Sequence, residues 1–307
     1  MWILFAALTV LLWGTSETIF KKVSTSDKDS ILKLISYNGI ILGTAGLIFM
    51  FITKTEITLD VILTYLPNAL IFITSMFCTY AAMKFTKVSI TSPLQNSSCA
   101  ITTILCILVL HQQVEWYQAL AVVAILIGLI LISVNKDESL KEDTEEKQKC
   151  SRRVYLTGVA FALGYWMLDG IGSFMDDYLL TDTLSDDQLF IAYGIIYMCI
   201  GIICAIIYNV KKYIKEAKLK ANGQEVEKKK FSFDKYKLIG ALIETTGQFT
   251  YTKAYFLGDG ALVSPFIASY CIVTMILSRI FLKEKLSKYQ YILIAIILTS
   301  LIVLSWE

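Results

Sequence analysis

Glu244, Gln248, Tyr251 and Tyr255 follow one another at i, i+4, i+7 and i+11 within a long apolar stretch. On a helix that spacing puts a carboxylate, an amide and two phenols on one face. Lipid disfavours such a face, so it is expected to look into a helix bundle and to bind polar or cationic groups there. Two further carboxylates stand in apolar surroundings. Glu17 comes four residues after Trp13 and four before Lys21, so the three share a face. This allows either an interfacial Glu17–Lys21 pair or a cation- or proton-binding carboxylate beneath an aromatic lid. Asp169 follows Tyr165 by one turn and neighbours Trp166. The same choice arises there, the plainer option being a carboxylate that reaches up to the outer interface. A charge at mid-bilayer costs at least about 2.5–3.5 kcal/mol on insertion scales, so each of these acids needs a reason to be where it is. Carboxylates among Trp and Tyr suit an organic cation, because Coulomb and cation–π attraction act together. A zwitterionic, amino-acid-like metabolite fits the same set. Asn96, Thr103 and Ser269 add neutral hydrogen-bonding groups.

Other chemistries find little support. His111 is the sole histidine, which removes a His-based metal cluster or proton relay. The seven cysteines contain no CxxC pair, and six of them lie in apolar runs, so neither a disulfide framework nor a zinc site is expected. Leu257-Gly258-Asp259-Gly260 has a superficial likeness to the motif of intramembrane aspartyl proteases. Asp259 falls in a short loop at the membrane surface, however, and the two glycines more simply supply the turn. No catalytic residue, metal or cofactor is expected. Lys253, half a turn out of phase with Glu244, is expected to pack or to reach the outer surface.

The elements that must hold these residues are membrane helices. The chain has 307 residues, 56% hydrophobic and 18% charged, against about a quarter charged in soluble proteins. A helix needs about 20 apolar residues to cross the hydrocarbon core. Spans are expected near 2–20, 31–52, 64–83, 89–110, 117–134, 154–175, 188–209, 237–257, 261–281 and 289–306. Residues 77–133 and 249–305 align without a gap at a constant offset of 172, with Ser92-Pro93 matching Ser264-Pro265. Phe77, Ala82, Ser97, Cys99, Thr102, Tyr117, Gln118 and Ser133 meet identical residues at Phe249, Ala254, Ser269, Cys271, Thr274, Tyr289, Gln290 and Ser305. The expected fold is therefore all-α: ten transmembrane helices in two five-helix repeats. Five is odd, so the second repeat inserts upside down. Residues 1–134 form the first repeat, 135–153 a polar linker, and 154–307 the second repeat with a basic loop at 210–237. Glu17 and Asp169 each lie 15 residues into the first helix of their half, and so are expected to be counterparts. Pro93 and Pro265 are expected to start helices, where a missing N–H matters least.

Lysines give the orientation. With the N-terminus outside, Lys21, Lys22, Lys28, Lys84, Lys87, the Lys136–Arg153 cluster and the ten lysines from Lys211 to Lys237 all fall in inner loops. Lys54 and the acids Asp176, Asp177, Asp182, Asp186 and Asp187 fall outside. The excess of Lys and Arg in cytoplasmic loops supports that assignment. A net charge of +2, with its cations segregated this way, is not the footprint of a nucleic-acid binder.

Three motifs carry a family resemblance. Leu12-Trp13-Gly14-Thr15-Ser16 resembles the first-helix "lWGss" of the EamA-like, ten-helix branch of the drug/metabolite transporter superfamily. Tyr251 to Phe266 resembles its "YxxAlxxgpaxxvxPl" segment, and Leu282 to Ser287 its "lxErlt" turn. The first repeat matches less well, with Leu110–Glu115 in place of that turn. The resemblance implies a multi-pass transporter with no enzymatic activity, carrying a small molecule across the lipid bilayer. It also implies cytoplasmic termini, against the lysine distribution. Together these features lead to an expected secondary transporter of a small polar or cationic metabolite, working by alternating access in the plasma (inner) membrane. Proton coupling would fall to Glu17, Asp169 or Glu244. The alternative is a membrane scaffold, partner subunit or sensor whose polar residues only hold helices together.

Overall fold

A computed structural model describes residues 1–24, 30–85, 95–134, 152–221, 235–281 and 288–304. The described residues are helical with short connectors. The first repeat holds α1 (Trp2–Ser24), α2 (Ser30–Thr53), α3 (Leu59–Phe85), α4 (Cys99–Val109) and α5 (Trp116–Val134). The second holds α6 (Arg152–Asp182), α7 (Asp186–Ala221), α8 (Lys235–Leu257), α9 (Gly260–Ala268), α10 (Tyr270–Phe281) and α11 (Lys288–Leu304). Segments α9 and α10 form one span broken at Ser269, which makes ten helical spans among the described residues. Five of the helices are long and apolar enough to cross a membrane on their own account. α6 and α8 are not among them, because they carry the acids and amides of the interior. Their polar faces are covered by other helices. Ile48, Phe51, Ile203, Ile206, Leu298 and Ile302 point outward and remain exposed, the apolar exterior that a lipid solvent requires.

The heaviest helix packing runs between the repeats, and each contact has a counterpart with the repeats exchanged. α1 lies on α8 as α6 lies on α3. α2 touches α8 as α7 touches α3, and α1 touches α9 and α10 as α6 touches α4. α2 with α7, α4 with α9 and α5 with α11 are their own counterparts. Glycines set the closest of these approaches. A Cβ on Gly201 would lie 3.1 Å from the Gly39 Cα, and one on Gly46 would lie 3.7 Å from the Gly194 Cα. Gly39 and Gly46 on α2 thus face Gly201 and Gly194 on α7, small residues whose missing side chains let two backbones meet. Without a hydrophobic force between helices in lipid, this close van der Waals packing is what joins the halves there.

Four sequence expectations need correction. The sixth span does not stop at 175. α6 continues to Asp182, so Asp176 and Asp177, expected in an outer loop, are helical and buried at 0% and 3% exposure. Asp169 accordingly lies near the middle of α6 rather than toward its outer end. The basic loop begins later than 210, because α7 runs on to Ala221 with a Lys212–Glu216 pair one turn apart at 3.9 Å. Charged residues stop a membrane span, but they do not stop a helix. Pro265 does not start a helix either. α9 begins at Gly260 and holds Pro265 inside it. Its missing N–H frees the carbonyl of Ala261 four residues back, and the Thr103 hydroxyl of α4 donates to that oxygen at 3.1 Å. Pro93 and the linker as far as Ser151 lie outside the described residues.

Candidate functional site

Both fourth-type spans break at matching places. In the second repeat α9 ends at Ser269, where tight turns run from Ser269 N to Phe266 O at 3.2 Å and from Ile272 N to Ser269 O at 2.9 Å. In the first, Ser98 N donates to Gln95 O at 3.2 Å and Ala100 N to Ser97 O at 3.0 Å, just ahead of α4. Ser97 and Ser269 are the identical pair of the duplicated segment. Interrupted helices of this kind, buried in protein at mid-span, are where transporters hold polar ligands.

The acids gather around these breaks. Ser98 donates to the Asp169 carboxylate at 2.7 Å, and Tyr165 donates to it from one turn earlier. On the facing side Thr274 of α10 donates to Glu17 at 2.7 Å, and Ser16 donates to Glu244 of α8. Trp13 stacks on Tyr251 with ring centroids 5.1 Å apart, and meets Tyr270 edge-on at 6.1 Å. The Tyr270 phenol lies within electrostatic reach of Glu17, Asp169 and Glu244 together. Trp13, Glu17, Tyr165, Asp169, Glu244, Gln248 and Tyr270 are all only partly buried, although their helices pack against one another on the inside of the bundle. Neither Glu244 nor Asp169 pairs with a Lys or Arg among the described residues. The arrangement is an anionic, aromatic-walled group of oxygens whose members keep partial exposure.

The expected site residues divide between this group and the layer above it. Trp13, Glu17, Tyr165, Asp169 and Glu244 come together, with Tyr251 roofing them through Trp13. Tyr251 and Tyr255 are buried and lie 4.6 Å apart, ring to ring. Tyr255 accepts from Ser264, so it continues the column away from the acids. Gln248 is on the expected helix face. Asn96 is buried beside the α4 break, where its backbone carbonyl accepts from the Cys99 thiol at 3.3 Å. The Lys21 side chain lies outside the described residues. Lys253, expected to pack or to reach the outer surface, is part-exposed. It pairs with Asp186 and with Asp187, the latter at 2.9 Å, at the start of α7.

The pairing of Glu17 with Asp169 is also corrected. Gly14 is pressed against the Tyr270 carbonyl and Val273, and Gly170 against the Ser98 carbonyl and Ile101. Tyr270 and Val273 are the 172-offset partners of Ser98 and Ile101, so Gly14 and Gly170 are counterparts and α1 maps onto α6 with an offset of 156. Thr102 and Thr274 agree, donating to the carbonyls of Gly170 at 2.9 Å and Gly14 at 3.3 Å. The counterpart of Asp169 is therefore Trp13, and that of Glu17 is Ser173. Equal distance from a helix start misled because α6 begins earlier, relative to its packing, than α1 does.

Two functional candidates did not come out of the sequence. Tyr270 is a single aromatic inside an apolar span, which carries no signal of its own in the sequence. Asp176 was assigned to a loop, yet it receives hydrogen bonds from Tyr65 at 2.9 Å and Asn68 at 2.7 Å. Its signal was present: Asp169, Ser173 and Asp176 recur at i, i+4 and i+7. Above it, Asp177 accepts from Gln112 at 2.6 Å, while the Gln112 carbonyl oxygen accepts from the Ala261 N–H at 2.9 Å. That clamp satisfies the first turn of α9.

The model of the EamA-like transporter family matches residues 1–134 and 156–306. A solved structure titled only "Crystal structure of protein" is similar in fold, with a TM-score of 0.72 at 12% identity over 99% of this chain and 96% of that one. No curated protein sequence matches.

Proposed function

The chain belongs to the EamA-like transporter family, a family of multi-pass integral membrane transporters, and from that premise we propose that it carries a small organic cation or amino-acid-like metabolite by alternating access. The observation that carries this reading is the group of Glu17, Asp169 and Glu244. The three are partly open, set among Trp13, Tyr165 and Tyr270, and placed beside both broken spans. A cation entering there meets carboxylates and π faces at once. The glycine-closed α2–α7 contact and its flanking pairs form the surface on which one repeat rocks against the other. Proton coupling falls to the same carboxylates, since cargo and proton compete for one negative charge. The plasma (inner) membrane is the proposed location.

A carrier gains stability from its cargo as RT ln(1 + [L]/Kd), about 2.7 kcal/mol at a hundredfold excess over Kd. Thermal unfolding of the purified protein against amines, amino acids, nucleosides and sugars is expected to single out an amine or amino acid. Glu244→Gln, which nearly conserves shape, is expected to fold normally and lose both that stabilisation and uptake. Wild-type uptake by Glu244→Gln combined with Tyr251→Phe would remove the α8 face from the site. A protein stabilised by none of these compounds would instead be a scaffold or partner subunit.

A further inference from the structure

Away from the ligand-facing acids, Asp176 stands in a different setting. It has 0% exposure, and so do the two residues that bind it, Tyr65 and Asn68 on α3. Both donate to one oxygen, Oδ1, at 2.9 and 2.7 Å, and Asn68 also donates to the Gly172 carbonyl at 3.1 Å. The other oxygen, Oδ2, meets no donor at hydrogen-bond geometry among the described residues, and the buried hydroxyl of Tyr251, likewise unmatched by that geometry, lies close against the same carboxylate. The titratable groups facing Asp176 are Tyr65 from α3, Tyr251 and Tyr255 from α8, and Asp177 on its own helix. Tyr193 of α7 backs Tyr65 at 6.1 Å between rings. No Lys or Arg pairs with Asp176 among the described residues. Lys253 of α8 is engaged by Asp186 and Asp187.

An ionised carboxylate enclosed this way, without a counter-charge, would carry a penalty of several kcal/mol. One oxygen that accepts two donors and one that accepts none is the pattern of a carboxylic acid, with Oδ1 as the carbonyl and Oδ2 as the hydroxyl. The repeat supplies independent support that packing does not demand this acid. With offsets of 156 and 172, the counterpart of Asp176 against Asn68 is Phe20 against Gly240. A Cβ on Gly240 would sit 3.1 Å from the Phe20 Cδ1. One half fills this place with a ring on a glycine, the other with an acid on an amide.

We propose that Asp176 is a second, enclosed proton site of the carrier, loaded on Oδ2 in this conformation and held by Tyr65 and Asn68, with Tyr251 as the group through which it faces the Trp13 cluster. Loaded, the site is neutral; unloaded, it carries one negative charge, and only the Oδ2–H bond distinguishes the two. Its part in coupling rests on the transport reading above, whereas its occupancy does not. The test therefore reads occupancy directly. Infrared spectra of the full-length protein at neutral pH, wild type minus Asp176→Asn, are expected to show the carbonyl stretch of one protonated carboxylic acid. Tyr65→Phe is expected to shift that band upward by removing a hydrogen bond to Oδ1, while Glu244→Gln leaves it in place. Asp176→Asn and Asp176→Leu are both expected to melt within a few degrees of wild type, so that a missing band cannot be blamed on unfolding. A difference spectrum with carboxylate bands and no acid carbonyl would overturn the proposal. So would an acid band unmoved by Tyr65→Phe, or stabilisation of the wild type by sodium that Asp176→Asn abolishes, because the site would then hold a metal cation. Loss of cargo binding with the band intact would instead count against the ligand site alone.

Discussion

Gly39→Ala and Gly46→Ala insert the same methyl group into the same helix, seven residues apart, and are expected to differ sharply. At Gly39 the new Cβ would press on the Tyr197 carbonyl and lie 3.0 Å from the Gly201 Cα, so both obstacles are backbone. At Gly46 its nearest neighbours are at 3.6 Å, an ordinary contact. Relief at Gly39 therefore requires α2 and α7 to separate along their length, whereas Gly46 has room. Overpacking of this kind costs about 1–3 kcal/mol. Both substitutions gain the same helix propensity, roughly 1 kcal/mol, which cancels in the comparison. Gly39→Ala should thus be less stable than Gly46→Ala by about 1–3 kcal/mol. For a chain of this size that is a few degrees at roughly 2 °C per kcal/mol. Gly194→Ala and Gly201→Ala, with nearest backbone atoms at 3.1 Å, should fall between them. Thermal unfolding of the four purified variants in one detergent measures the order. Equal melting of Gly39→Ala and Gly46→Ala, or the reverse order, would refute the α2–α7 register.

Thr103→Val should cost about 1–3 kcal/mol by leaving the Ala261 carbonyl buried and unpaired, and most of that cost should vanish in a Pro265→Ala background, where the restored N–H closes the helix bond; thermal unfolding of the double-mutant cycle checks it. Topology is tested by Glu307→Cys in a cysteine-free background: with both termini outside it should react with an impermeant maleimide in intact cells. Protection at that position, with labelling of Asp182→Cys, would show that either the span count or the lysine argument is wrong, since ten spans put both positions on one side; protection of both would place the termini in the cytoplasm.

Apolar run length and the 172 offset were enough to reach ten helices in two inverted repeats, because lipid imposes both a span length and an all-round apolar surface. The Glu244 face was legible for the same reason, since a carboxylate recurring with an amide and phenols at helical spacing has nowhere to point but inward. Asp176 was not. A length of about 20 residues closes the sixth span just as the acids begin, and aspartates beyond an apolar run look like a loop. The helix breaks were hidden too. Ser97 and Ser269 registered only as an identical pair, because a single turn that changes its hydrogen bonding leaves hydropathy unaltered. The offset of 156 between α1 and α6 left few identities to follow. Gly39 and Gly46 against Gly194 and Gly201, both seven apart, were the readable trace of a similar offset in the second helices.

The correspondence between repeats also separates what the backbone needs from what the site adds. Ser16 against Glu244 has Gly172 against Phe72 as its counterpart, where an added Cβ would lie 3.0 Å from the ring. Ser98 against Asp169 has Tyr270 against Trp13. Glu17 has Ser173, and Asp176 has Phe20. Each of these four acids thus occupies a place that its sister repeat fills with an aromatic or a small neutral residue while keeping the same helix contact. Since apolar groups of similar volume stabilise such places at least as well as buried charges do, packing does not account for the acids. Alternating access between inverted repeats exchanges their backbone arrangements, so a symmetric sequence would offer the same environment to either side. Here the exchange does not preserve chemistry. In one arrangement Glu17 and Glu244 lie on the α1–α8 side, and Asp169 and Asp176 on the α3–α6 side; exchanging the repeats puts a Phe, a Trp or a hydroxyl where a carboxylate had been. A cation or proton would therefore be held with different strength in the two arrangements, which is the differential affinity that any ligand-driven shift between them requires.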